Sequence, residues 1–380
     1  MKKTLAALII GAFAASAANA AIVYKNSEGT EVTVDGSIRI VMESKNKKHT
    51  VANQKRSHSG IRNNGSRFDL NINQDLGNDF YAYAHTQIRF AEDDTGTSGL
   101  PRNNKDDDNW GSLTVRRAYA GLGHKQYGQV GFGKQTTPAD DVGIAEDYSY
   151  GILPDYIPDE GNQTVRYDYL GVEGLQLSAS YTFAQDRDDD RTVSNKSRNN
   201  TVVLGGTYEG QVGEGKLLVG TAYGRVNYQD KNSDKSSHQD GYRLSLGYAF
   251  SGLTASIDSG YVNAKHILDK ENAEGLKYDG DSKGFYVSPG LQYQVTPTNK
   301  VYTNYLYQQQ KQTKTVLGAS VDNKQKTHGV LVGVDHKFNK HALVYLEGKY
   351  LTNKKYANGN YINNSKETDK AIGVGIRVFF

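Results

Sequence analysis

Cysteine is absent, so neither a disulfide framework nor a thiolate metal site can exist. Tryptophan occurs once, methionine twice and proline six times in 380 residues. Beyond the first 20 residues no apolar run approaches the roughly 20 residues of a membrane-crossing helix. Neither charge sign is in excess, with 45 basic and 42 acidic residues. Such a balance lacks the basic footprint of a nucleic-acid binder. The nine histidines show no metal-ligand spacing, and no cofactor motif stands out.

Glycine (41) and tyrosine (27) are abundant, and mean hydropathy is −0.67. A helical membrane protein could not have this composition. A transmembrane β-barrel could, because only alternate residues of its strands face lipid.

Residues 1–20, MKKTLAALIIGAFAASAANA, have the form of a secretory leader. Lys2 and Lys3 precede a short apolar run, and Ala18-Asn19-Ala20 is a small-x-small cleavage signal. Cleavage is expected after Ala20, leaving a mature chain of residues 21–380. Removing Lys2 and Lys3 leaves 43 basic to 42 acidic residues.

From Ala21 onward apolar residues recur with period two, the signature of half-buried strands. Val32, Val34, Ile38, Ile40 and Met42 share one parity. Phe80, Ala82, Ala84, Ile88 and Phe90 do so again, and the chain ends on Ile372, Val374, Ile376, Val378 and Phe380. Arg39, Arg67, Arg89, Arg116, Arg225, Arg243 and Arg377 fall on the opposite parity. Short connections, such as Leu76–Asn78 and Ser251–Gly252, alternate with long polar ones. The long ones include 44–64, 91–110, 187–199, 230–240, 266–282, 313–326 and 353–368. This layout predicts an all-β fold, an antiparallel transmembrane β-barrel of about 16 strands with short turns at one end and long loops at the other. Pro289 interrupts one strand pattern and predicts a bulge or kink. Tyrosines near strand ends suit interfacial girdles.

One stretch breaks the pattern. Residues 136–163 hold Pro138, Pro154 and Pro158 among many acids, together with Tyr148, Tyr150, Ile152, Tyr156 and Ile157. A structureless segment of this length that keeps apolar anchors is expected to be functional. It is read as a loop folded into the middle of something hollow.

The segments AIVYKNSEGTEVTVDGSIRI, SRFDLNINQDLGNDFYAYAHTQ, VRRAYAGLGHKQYGQVGFGKQ, ILPDYIPD before VRYDYLG, and the terminal IGVGIRVFF resemble the trimeric general porins of Gram-negative outer membranes. Among these, the major porins of Pasteurellaceae are particularly similar. The resemblance covers the whole mature chain. It implies a 16-stranded barrel, a homotrimer in the outer membrane in contact with lipid and lipopolysaccharide, and a third long loop constricting the lumen. It implies a passive channel for ions and small hydrophilic solutes, with no cofactor and no catalysis. It also implies wall arginines facing loop carboxylates. Arg67 and Arg116 match wall positions, Asp155 matches a loop-acid position, and Arg166 matches an arginine near the loop's return. Gly151 stands where many relatives place a second loop acid, so the acid set draws on Glu146, Asp147 or Asp159, and the basic set on Arg39. Arg117 exchanges roles with Arg116 if the register slips by one. The loop 91–110 resembles the family's latch over a neighbouring subunit. Small residues Ala82 and Ala84, with Gly36, Gly373 and Gly375 nearby, suit close packing between barrels. Phe380 resembles the family's assembly signature.

Three other readings make different demands, the third being a soluble secreted β-protein, whose apolar parity would face a core rather than lipid. A solute-specific channel would show an aromatic ladder along the pore, and the inward parity shows no clear one. A barrel enzyme would need a nucleophile–base cluster. Asp140-Asp141 and His85 are the best material, and no nucleophile motif surrounds them.

Overall fold

The computed structural model describes residues 21–49, 54–90, 113–184, 196–230, 237–265, 270–271, 277–316, 319–363 and 365–380. The leader and the latch loop 91–110 lie outside them. The described residues form strands and connections, with no helix. The strands make one closed antiparallel barrel of 16 strands.

The first strand, β1, is shared by the two chain ends. Ala21–Lys25 pairs with one stretch of β2 (Thr30–His49), and Glu367–Phe379 pairs with the rest of the same edge. β3 runs as Gln54–Asn63 and Arg67–Gly77, both along the other edge of β2, with an interruption at residues 64–66. β4 (Phe80–Phe90), β5 (Leu113–His124), β6 (Gly128–Thr136), β7 (Glu160–Val172) and β8 (Leu175–Thr182) follow. Next come β9 (Lys196–Val212), β10 (Gly215–Asp230), β11 (Ser237–Phe250) and β12 (Leu253–Lys265). β13 (Lys277–Thr296), β14 (Asn299–Val316), β15 (Ala319–Asn339) and β16 (Ala342–Ala357) return to the closing segment of β1.

The apolar parity faces out. Met42, Val332 and Ile372 are each more than half exposed, whereas the polar Asp35, Asp69 and Glu347 are buried on the inner face. A water-soluble sandwich would invert this arrangement. Closure leaves no unpaired edge, as a bilayer requires. The eight turns at one end are tight. Ser251 and Gly252 take φ of 48° and 82°, the two left-handed positions of a type I′ hairpin, whose twist matches the flanking strands.

Three expectations are corrected. The polar segments 44–64, 313–326 and 353–368 are not simply loops, because β2–β3, β14–β15 and β15–β16 continue as paired ribbons far into them. Above the lipid both faces of a strand meet water, so the alternation stops while the hydrogen-bond ladder goes on. Pro289 makes no bulge. It keeps its pairing with Ile257 on β12, and the β14 ladder skips Ser288 and Pro289 but resumes in the same register. Arg225 is not inward, since it sits opposite Asp240 in the ladder, 3.8 Å away, on the parity of the lipid-facing Tyr223 and Tyr242.

Candidate functional site: an inward loop and a wall of arginines

The loop between β6 and β7 starts and ends in register, with Thr136 opposite Glu160 and Thr137 N–H donating to the Asp159 carbonyl at 2.8 Å. From there it folds into the barrel. Ala139, Val142 and Ile157 pack on Val203 and Ala222 of β9 and β10. Tyr150, Ile152 and Tyr156 pack on Val262, Tyr286, Tyr302 and Leu306 of β12 to β14. The wall gives way beneath it. A Cβ at Gly241 would stand 2.3 Å from the Tyr156 carbonyl oxygen, so only glycine admits that approach.

Wall carboxylates hold the loop's backbone. The buried Glu347 accepts the amide protons of Tyr148, Ser149 and Tyr150 at 2.6, 2.8 and 2.7 Å, and the Tyr302 hydroxyl at 2.8 Å. Asp258 accepts those of Ile144 and Ala145 at 3.1 and 2.9 Å. From the wall side, Arg377 donates to the Tyr148 carbonyl at 2.6 Å, and Arg243 to that of Ala139 at 3.1 Å. Irregular backbone is tolerated at membrane depth only when protein or lumen water satisfies it, and here the wall does so.

The loop's solvated edge is acidic. Asp140, Asp141, Asp147 and Asp155 are exposed to the lumen, while Glu146 and Asp159 are only partly so. Glu146 is taken up by Lys300 at 2.9 Å. The wall carries arginines on successive strands, Arg39 on β2, Arg67 on β3, Arg89 on β4 and Arg117 on β5. Arg39, Arg67 and Arg89 each bond a neighbour two residues back, namely Ser37 Oγ, the Gly65 carbonyl and Gln87 Oε1. These bonds lay the guanidinium groups along the wall. Arg67 and Arg89 are direct cross-strand partners, a like-charge pairing that costs stability unless countered. The loop supplies a counter-charge, with Asp140 lying 3.3 Å from Arg117.

Arg116 and Arg117 both face the lumen. Gln87 pairs with Arg117 and Ile88 with Val115, so Arg116 is the extra residue of a β-bulge. It pairs with Glu160 at 2.9 Å. The outward parity duly switches from Leu113 and Val115 to Ala118, Ala120 and Leu122, a signal readable in the sequence. Arg166 lies elsewhere. Its buried guanidinium bridges Asp141 at 2.5 Å and Asp168 at 2.8 Å, tying the loop's first turn to β7. Residues the sequence reading left out of the site are Asp140, Asp141, Arg89, Asp258 and Glu347. Nothing in the local sequence marks Asp258 or Glu347, whose roles depend on contacts more than 100 residues away along the chain.

Asp147 and Asp141 resist ionisation. Burial within the barrel, then Glu347 and Glu146, push the Asp147 carboxyl up to about 6. Burial and then Asp168 raise Asp141 to about 6, although Arg166 opposes the shift. Lumen water reaches both groups and tempers the burial cost. A raised carboxyl is charged above its pKa and neutral below it. Lowering the pH from 8 to 5 should therefore strip negative charge from the loop and move ion selectivity toward anions, with a midpoint near 6 rather than the usual carboxylate value. Reversal potentials across that range check this.

A closed barrel with a lipid-facing apolar exterior, a charged lumen and an inward-folded loop defines a transmembrane channel. A Gram-negative porin family model matches residues 4–356, and the chain belongs to that family of outer-membrane channels. It is similar to the major outer membrane protein of Pasteurella multocida, at 27% identity over 391 aligned positions spanning 100% of both chains. In fold it is similar to OmpT of Vibrio cholerae in its trimer form, with a TM-score of 0.60 and 18% identity over 93% of this chain and 100% of that one. It is likewise similar to an anion-selective porin from Comamonas acidovorans, with a TM-score of 0.59 and 16% identity over 92% of this chain and 100% of that one.

Proposed function

We propose that the chain is a general diffusion porin, a passive water-filled channel for ions and small hydrophilic solutes, in which acids on the inward loop face the arginine wall. The ion pair of the exposed Asp140 with Arg117 at 3.3 Å, beside the cross-strand pair Arg67 and Arg89, supports this reading. Unit charges about 5 Å apart at an effective dielectric near 20 interact by roughly 3 kcal/mol before salt screens them. That biases which ion enters and cannot shut a pore. Asp155→Asn should shift the reversal potential in a salt gradient toward anion selectivity, and Arg67→Ala or Arg117→Ala toward cation selectivity. Identical potentials in all three variants would remove the electrostatic reading.

The working unit is a homotrimer of chains cleaved after Ala20. Ala21 and Phe380 meet end to end along β2, so an uncleaved leader would have to leave the sheet at that point. The flat outward patch is built by Ala82 and Ala84 of β4 with Ala118 and Ala120 of β5. Gly373 and Gly375 do not belong to it, because they face inward, toward Tyr150 and Tyr345. Lys326 and Lys370 lie over the rings of Tyr356 and Tyr350 at the loop end, where such pairs suit lipid and lipopolysaccharide headgroups. Heat-resistant trimer migration in detergent should be seen, and replacing Ala84 and Ala120 by Lys should abolish it.

A further inference from the structure

The lumen tyrosines form two sets with different fates. Tyr286, Tyr302 and Tyr345 lie flat over Gly260, Gly333 and Gly375. The loop covers them, Tyr156 packing on Tyr286 and Tyr148 on Tyr302 and Tyr345 with ring centroids 4.8–5.7 Å apart. The other set lies on β4 and β5. Tyr81 and Tyr83 lie flat over Gly123 and Gly121, and Tyr119 and His85 extend the row. Successive centroids are 6.1, 6.3 and 5.1 Å apart. Among the described residues no ring of the loop packs on this second set, and each member keeps partial exposure. Its outer members are pinned. The Tyr81 hydroxyl donates to Gln129 at 3.1 Å, and His85 Nδ1 lies 2.6 Å from Asn71 Oδ1 and Nε2 3.4 Å from Asp69.

The row starts beside the tight turn at residues 77–80 and ends under the arginine wall. Tyr119 and Arg117 share a face two residues apart, hence roughly 7 Å along the strand. An anionic group on a sugar's exocyclic carbon stands closer to its ring than that, a difference the long, flexible arginine side chain can span. Tyrosine faces bind flat apolar ring faces, and arginines bind phosphate or carboxylate through two parallel hydrogen bonds.

We propose that this half of the lumen is a binding track for anionic hexoses, the sugar face resting on Tyr83 and flanked by Tyr119, whose ring stands at 76° to it, while Arg117 and Arg67 hold a phosphate or carboxylate. The track rests on the channel reading and refines it with a weak preference, since a conducting site must also release its solute. Glucose 6-phosphate, displacing water from the rings and competing with Asp140 for Arg117, would pause there and interrupt the ion current.

The test is current blockade of reconstituted trimers in planar bilayers. Glucose 6-phosphate should block at concentrations about tenfold lower than glucose or inorganic phosphate, and glucuronate tells whether a carboxylate serves as well as a phosphate. Tyr83→Leu with Tyr119→Leu, which keeps bulk over Gly121, should raise the half-blocking concentration of glucose 6-phosphate about tenfold. The matching pair of Phe variants should restore it. Equal blockade of the wild type by glucose, phosphate and glucose 6-phosphate would overturn the track while salt conductance leaves the channel reading standing. So would a Leu pair that blocks like the wild type. A barrel that conducts no salt would remove the channel reading and the track with it.

Discussion

Deleting residues 144–155 should raise single-channel conductance severalfold and admit larger sugars in liposome swelling. The barrel should survive, because the loop's ends are already adjacent at Thr137 and Asp159 and shortening a loop changes closure entropy only slowly. Burial of Tyr150 and Ile152 would be lost, each worth about 2–3 kcal/mol. Glu347 and Asp258 would exchange loop amides for lumen water and would not be stranded. Unaltered conductance and an unaltered size cutoff would show that the loop does not occupy the lumen.

The second large effect belongs to Glu347. It is fully buried and accepts three consecutive amides and one phenol. Hydrogen bonds to a charged acceptor each contribute about 1.5–3 kcal/mol, and not additively. Glu347→Ala should therefore favour loop release by about 3 kcal/mol, roughly 150-fold in population. Recordings should become noisy and more conductive. Hydrogen exchange should accelerate at the amides of Tyr148 to Tyr150, while those of Ile144 and Ala145, held by Asp258, stay slower. Unchanged exchange at all five would sink the assignment. Glu347→Gln, which keeps an acceptor, should show a smaller change of the same sign.

The barrel was legible because lipid imposes a strict rule. One face of each strand must be apolar, and Val330, Val332 and Val334, or Ile372, Val374 and Ile376, declare it. Where lipid ends the rule ends, and for that reason the external ribbons of β14 to β16 resembled loops. The inward loop was legible from its prolines and its apolar anchors. Its seat was not, because glycines such as Gly241 and carboxylates such as Glu347 acquire meaning only once distant strands curl together. Arg116 and Arg117 occupy the middle ground. Parity reverses between Val115 and Ala118, so a bulge that turns both arginines inward follows from the sequence when the two halves of β5 are compared.

β1 has a consequence for biogenesis. Its two pieces are the first and last described stretches of the chain, and Phe380 exchanges backbone hydrogen bonds with Gly36 at 3.0 and 3.2 Å while its ring packs on Phe68 at 5.8 Å. The seam therefore joins residues separated by nearly the whole polypeptide, and such contacts carry the slowest step of folding. Until Glu367–Phe379 has paired with both neighbours, the sheet has two raw edges, β2 and β16, each able to zip onto a foreign strand. Closure thus doubles as a proofreading step. A chain lacking Glu367–Phe379 could not complete the seam and should stay an open, aggregation-prone sheet.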